Sequence, residues 1–77
     1  MLNKKMKGKD EFTKAEYNEL KKLLIQKVAA SHTAQKSIRA EMRAKYKFYI
    51  SDFTNKKDGF GVESFDELIK SGSITII

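Results

Sequence analysis

This chain of 77 residues carries a formal net charge of +6, and 40% of its residues are apolar. That length allows one domain, which buries only about 60% of the surface that its unfolded form exposes, and the apolar content is too high for a disordered chain. The absence of cysteine excludes disulfides, thiolate nucleophiles and zinc–thiolate sites, so we expect a reducing compartment, the cytoplasm.

The charge is unevenly distributed along the chain. Residues 1–47 hold 13 Lys and Arg against 5 acids, whereas residues 48–77 hold 3 against 5. This asymmetry predicts one face suited to a polyanion, although solubility alone would also explain it. The basic start has no apolar run behind it, so we do not expect a secretory signal. No segment approaches the roughly 20 apolar residues that span a membrane.

The first part of the chain predicts a tail and then a well-marked helix. Residues 1–11 carry four lysines and no hydrophobic period, which predicts a flexible basic tail before a single compact domain over residues 12–77. Thr13 and Glu16 have the spacing of a capping box, which starts a helix predicted over residues 13–30. Its apolar stripe consists of Tyr17, Leu20, Leu23, Leu24 and Val28.

A second, amphipathic helix begins at Ser31 or Thr33, both of which are residue types that favour the N-cap position. Its apolar stripe repeats every four residues, at Ala34, Ile38, Met42 and Tyr46. Four cations fall within about 80° of one another on the helical projection, roughly opposite this stripe. These cations are Lys36, Arg39, Arg43 and Lys47, the last of them at the predicted end of the helix.

The hydrophobic period then changes from four to two. Phe48 and Ile50 are predicted to point to one side of a strand over residues 48–51, with Tyr49 on the other side. Cations beside flat rings also suit a platform for single-stranded nucleic acid, because bases stack on exposed rings. We expect Phe48 to be needed for packing and Tyr49 to remain available outside.

The end of the chain predicts a short helix and a second strand. Ser64 and Glu67 have capping-box spacing, and Gly72 stands where the left-handed residue after a helix is common. A strand over residues 73–77 is predicted to pair with residues 48–51. The predicted fold class is α+β: a small three-helix domain in the order α-α-β-α-β, with a two-stranded β ribbon packed on the helices. Its predicted core contains Leu20, Leu24, Ile38, Phe48, Ile50, Phe65, Leu68, Ile74 and Ile76.

Catalytic, metal and cofactor sites are not predicted. His32 is the only histidine, and it lies in a Ser/Thr-rich break with no cysteine to pair with. The acidic residues lack the spacing of a calcium loop, and Gly59-Phe-Gly61 lacks the third glycine of a dinucleotide loop. We therefore expect a non-enzymatic binding protein without a small-molecule substrate.

Two binding hypotheses remain open from the sequence. In the first, the chain binds DNA or RNA non-specifically through phosphate contacts, and the expected binding residues are Lys36, Arg39, Arg43, Lys47 and Tyr49. In the second, it is a protein-interaction module, either a homodimer or an accessory subunit, that uses an edge strand or an apolar helix face. The aliphatic pair Ile76-Ile77, which has no neighbouring charge, favours the second.

Residues 36–77 resemble small uncharacterised bacterial proteins. The shared features are a Phe-Tyr-x-Ser-Asp-Phe segment, here FYISDF at residues 48–53, followed by a helix and a strand within FGVESFDELIKSGSITI at residues 60–76. The resemblance implies this order of elements, and it implies neither an activity nor site residues.

Overall fold

The computed structural model describes residues 6–55 and 59–77. Its three α-helices are α1 (Lys14–Val28), α2 (His32–Tyr46) and α3 (Val62–Lys70). Two short strands, β1 (Glu11–Phe12) and β2 (Thr75–Ile76), pair in parallel, with Glu11 opposite Thr75 and Phe12 opposite Ile76. The predicted fold class, a small α+β domain of three helices and a two-stranded sheet, is confirmed.

The start of α1 confirms the predicted capping box. Thr13 is the N-cap, and its hydroxyl oxygen accepts a hydrogen bond from the Glu16 N–H at 3.1 Å. The Glu16 carboxylate in turn accepts from the Thr13 N–H at 2.9 Å. This backbone hydrogen bond, together with the ammonium group of Lys9, lowers the pKa of the Glu16 carboxyl from its usual value.

The last turn of α1 differs from the prediction. Leu23 and Leu24 are buried as predicted, but Val28 is 69% exposed and Lys27 is only 1% exposed. At 100° per residue, position 27 lies between the two leucines and position 28 lies at the edge of the stripe. The Lys27 side chain can occupy an inward position because its stem is apolar and its Nζ donates to the Phe60 carbonyl oxygen at 3.0 Å.

The strand predicted over residues 48–51 is wrong. Phe48 and Ile50 are both buried, which explains the period of two in the sequence. The backbone nevertheless turns into a 3₁₀ helix at Ile50–Asp52, where the Phe53 N–H donates to the Ile50 carbonyl at 3.0 Å. Backbone groups that are satisfied within this turn are not available to a β ladder.

The partner predicted for the last strand is therefore also wrong, because β2 pairs with β1. The Thr75 N–H donates to the Asp10 carbonyl at 2.8 Å, and the Ile77 N–H donates to the Phe12 carbonyl at 2.9 Å. A strand of two residues is too short to show an alternating pattern, so periodicity gave no sign of β1.

Residues 7–10, which we call the strap, lead into β1 and lie against the rest of the fold. The Asp52 carboxylate accepts hydrogen bonds from the Lys7 N–H at 3.0 Å and from the Gly8 N–H at 2.9 Å. The Lys9 N–H donates to the Lys47 carbonyl at 3.0 Å. The strap was predicted as part of a flexible tail. Residues 1–5 of that tail lie outside the described residues, and the tail-and-domain division stays a prediction.

The beginning of α3 corrects the predicted second capping box. Gly61 is the N-cap, and Ser64, predicted at that position, is the third residue of the helix. Its hydroxyl accepts from the Gly61 N–H at 3.4 Å, which is the hydrogen bond that the third residue of a helix makes to the N-cap in a capping box. The end of α3 matches the prediction, since Gly72 has a φ of +86° and the Ser73 N–H donates back to the Leu68 carbonyl.

Phenylalanine rings form the centre of the core. The centroid of the Phe48 ring lies 5.3–5.9 Å from those of four others, Phe12, Phe53, Phe60 and Phe65. The buried apolar residues are Phe12, Leu20, Leu23, Leu24, Met42, Phe48, Ile50, Phe60, Phe65 and Ile74. From the predicted core, Ile38, Leu68 and Ile76 are only partly buried. The core thus lies between the helices and the side chains of β1, β2 and the 3₁₀ turn.

Candidate nucleic-acid interface

Helix α2, which carries most of the predicted binding residues, is held by its N-cap and by its apolar stripe. Ser31 is the N-cap, and its hydroxyl accepts from the Ala34 N–H at 3.2 Å, which decides between the two predicted starts. Met42 is fully buried and Ile38 partly buried, while α2 packs against α1. This packing leaves the opposite side of α2 facing outward.

The predicted binding residues lie in different environments. Lys36, Arg43 and Lys47 are exposed, whereas Arg39 and Tyr49 are half-buried. Arg39 borders a cleft of about 40 Å³ together with Arg43, Phe48, Ile50 and Ser51. That volume is far below the about 300–1,000 Å³ of small-molecule pockets. The site is therefore an exposed basic surface with one arginine at the edge of the core.

The carboxylate that α2 itself carries, Glu41, is engaged by another cation. The Lys45 ammonium donates to the Glu41 carboxylate at 3.1 Å, and this hydrogen bond raises the pKa of Lys45. Within residues 6–55 and 59–77, the side chains of Lys36, Arg43 and Lys47 make no ion pair. Their charges are available to an external anion.

Helix stability explains part of this charge arrangement. Arg43 and Lys45 lie in the last turn of α2, where the partial negative charge of the helix C-terminus stabilises cations. Lys36 lies nearer the N-terminal end and gains nothing from that effect. Its exposed position therefore points to an outside anion more directly than Arg43 does.

Lys47 lies just beyond the end of α2, where the strap passes. It adopts a left-handed conformation, with φ 56° and ψ 36°. Gly8 lies so close that a Cβ atom there would clash with the Lys47 carbonyl oxygen and lie 2.7 Å from Cδ1 of Tyr49. The exposed Lys7 is thereby brought to the C-terminal end of α2. No local sequence pattern links the two segments, so this juxtaposition was not predicted.

A second surface of the molecule is apolar. Ile25 is 61% exposed and Val28 is 69% exposed, one turn apart on α1. Together with Gly61, Val62 and other residues before and within α3, they border an open groove of about 400 Å³. Adjacent exposed aliphatic side chains at a groove are typical of contact surfaces.

The remaining sequence features add little chemistry. His32 is exposed at the first position of α2. In the part of the chain that the structure describes, no three His, Cys, Asp or Glu side chains are grouped so as to hold a metal ion. The described helices include none that is both long enough and apolar enough to cross a bilayer. No family model, curated protein or solved structure is significantly similar to this chain.

Proposed function

We propose that this chain is a non-enzymatic binding domain that binds DNA or RNA non-specifically through the basic face of α2. The observation that carries the proposal is the exposure of Lys36, Arg43 and Lys47, which make no ion pair among the described residues. Each phosphate that such a cation neutralises releases counterions, and this favourable term does not depend on base sequence. The excess of cations in residues 1–47 attracts polyanions over a longer range.

The geometry supports contacts to phosphates more than contacts to bases. The cleft beside Arg39 is too small for a nucleotide, and Tyr49 is half-buried beside the strap. Base stacking on Tyr49 stays a prediction. We therefore expect similar affinities for different sequences at a given salt concentration, since phosphate contacts position a protein without reading bases.

A binding titration with short DNA and RNA of mixed sequence, repeated at several salt concentrations, tests the proposal. The double variant Lys36→Gln/Arg43→Gln should weaken binding to every sequence. It should also reduce the slope of log Kobs against log salt by about 2, one unit for each lost phosphate contact. Arg39 is left intact because it is half-buried, whereas Lys36 and Arg43 are exposed.

The matched control is Lys14→Gln/Lys70→Gln, which removes the same charge from exposed positions on α1 and α3. It should change the slope much less than the α2 variant. Equal effects of the two variants would show that binding follows net charge rather than the face of α2. Absence of binding at about 50 mM salt would contradict the proposal altogether. Circular dichroism of each variant checks that the fold is retained.

A second candidate function is a protein-interaction module, favoured by the exposed Ile25 and Val28 beside the groove. The partner in this second candidate function is another copy of the same chain. Sedimentation over a range of concentrations should then show a mass that rises with concentration, and Ile25→Ser should abolish the rise. A monomer at every concentration would contradict the homodimer.

We also propose that the domain works in the cytoplasm. The chain contains no cysteine, and small domains outside reducing compartments commonly rely on disulfides. Fractionation of cells that produce the protein, with recovery outside the cytoplasmic fraction, would contradict this location.

A further inference from the structure

We propose that Lys7 and Lys47 together bind the phosphate backbone of the nucleic acid, so that the contact surface continues from α2 onto the strap. This inference rests on the proposed function and names two contact residues on different segments. Lys7 was predicted as tail, and Lys47 as a continuation of the helix face. In the structure the strap, which begins at Lys7, crosses the C-terminal end of α2, where the Lys9 N–H donates to the Lys47 carbonyl.

The strap fixes the backbone of Lys7 beside that of Lys47. Two successive N–H groups, of Lys7 and Gly8, donate to the two oxygens of the Asp52 carboxylate at 3.0 and 2.9 Å. The next N–H, that of Lys9, donates to the Lys47 carbonyl oxygen at 3.0 Å. Because these bonds already order the strap, contact with a phosphate requires ordering of the Lys7 side chain alone, which favours binding.

Glycine at position 8 permits this close approach. A Cβ atom there would clash with the Lys47 carbonyl oxygen. Lys7 directly precedes Gly8, so its exposed side chain starts one residue from the backbone that contacts the exposed Lys47. Both oxygens of the Asp52 carboxylate accept hydrogen bonds from the strap.

Lys47 occupies a backbone conformation that favours glycine. Among the described residues it is the only non-glycine with a positive φ, and the other described residue with a positive φ is Gly72, which follows the C-cap of α3. A left-handed conformation is unfavourable for a residue with a Cβ atom. The Lys47 side chain makes no ion pair or hydrogen bond within the described ranges, so the fold does not use its ammonium group.

Stabilisation of the helix end is an insufficient reason for lysine at this position. The last turn of α2 already contains Arg43 and Lys45, which supply the cations that the helix C-terminus favours. A glycine at position 47 would keep the hydrogen bond from its N–H to the Arg43 carbonyl and the one that its carbonyl accepts from the Lys9 N–H. It would also relieve the left-handed conformation. A residue in an unfavourable conformation, whose charged group the fold does not use, points to a ligand outside the fold.

The test compares Lys47→Gly with the wild-type protein, using short oligothymidylate and a mixed-sequence duplex as probes. The variant should keep or raise the Tm, because glycine adopts the left-handed conformation readily. It should nevertheless bind both probes more weakly, with a log–log salt slope smaller by about 1. Lys47→Arg, which keeps the charge, should retain the wild-type slope.

Lys7→Gln should also reduce the slope by about 1, and the variant Lys7→Gln/Lys47→Gly by about 2. Lys70→Gln, at an exposed position on α3, is the control with one charge removed. The inference requires a larger effect from Lys7→Gln and from Lys47→Gly than from this control.

Each failure has a distinct signature. If Lys47→Gly binds like the wild type while Lys36→Gln/Arg43→Gln binds more weakly, the inference is overturned and the proposed function stands. A lower Tm for Lys47→Gly would show that the lysine serves the fold, and would overturn the inference as well. If the wild-type protein binds neither probe at low salt, the inference and the proposed function fail together.

Discussion

At the scale of single residues, Phe48 has the central place in the core, because four other phenylalanine rings surround it. Phe48→Ala should lower the free energy of unfolding by about 3–5 kcal/mol, the usual cost of truncating a buried ring. Tyr49→Ala, at the half-buried neighbouring position, should cost much less. Urea unfolding measures both values. Equal losses would contradict the burial of Phe48 and the partial exposure of Tyr49.

Gly8 has a comparable importance for the strap. Gly8→Ala should lower the free energy of unfolding by about 1–3 kcal/mol, the usual cost of overpacking, because the added methyl group meets the Lys47 carbonyl and the Tyr49 ring. Gly59→Ala is the matched control, since no described residue other than its chain neighbours has an atom within 4 Å of a Cβ atom there. Thermal melting of the two variants measures the difference. A strap that is not docked in solution would make both substitutions equally mild.

At the scale of secondary-structure elements, the ends of the helices are set by local hydrogen bonds. The capping box of α1 satisfies two backbone N–H groups that would otherwise lack partners at the helix start. The α2 start relies on the single hydroxyl of Ser31, and the α3 start relies on Gly61 with Ser64. The side-chain contribution to helix initiation is therefore expected to be largest for α1.

Thr13→Ala should lower the free energy of unfolding by about 1 kcal/mol, the usual loss for a capping hydroxyl. In a domain of this size, that loss corresponds to a decrease in Tm of about 4–8 °C. Thr13→Ser, which keeps the hydroxyl, should melt close to the wild type. An unchanged Tm for the alanine variant would mean that the Thr13 hydroxyl does not stabilise the start of α1.

At the scale of the whole molecule, the parallel pair of β1 and β2 joins the first and last parts of the domain. The two strands are separated in sequence by all three helices, so their pairing depends on the packing of the helices. The strap, which leads into β1, adds hydrogen bonds to Asp52 and Lys47. Residues 7–12 thus contribute to the fold as well as to the basic surface.

Deletion of residues 1–9 tests this contribution. Hydrogen bonds to a charged group are worth about 1.5–3 kcal/mol each, so removal of the strap donors to Asp52 should lower the free energy of unfolding by at least about 2 kcal/mol. The control replaces the four lysines of this segment with glutamine, which keeps the backbone donors and removes the charges. This variant should lose far less free energy of unfolding than the deletion, because exposed ion pairs contribute little. An unchanged free energy of unfolding after the deletion would support the prediction of a flexible tail.

Sequence by itself determined the features that depend on neighbours along the chain. The hydrophobic periods located α1 and α2, while Thr13 and Gly72 marked helix ends by interactions within a few residues and Ser31 was one of two predicted starts of α2. The exposed cations Lys36 and Arg43 were predictable in the same way, because a helical period fixes which side chains share a face.

Tertiary structure alone decided the features that depend on distant backbone groups. The partner of β2 is β1 because the 3₁₀ turn at Ile50–Asp52 satisfies its own backbone groups, and a strand of two residues carries no periodic signal. The burial of Lys27 depends on the carbonyl of Phe60, and the approach of Lys7 to Lys47 depends on Asp52. These contacts join residues far apart in sequence, and local patterns do not encode which distant donor meets which acceptor.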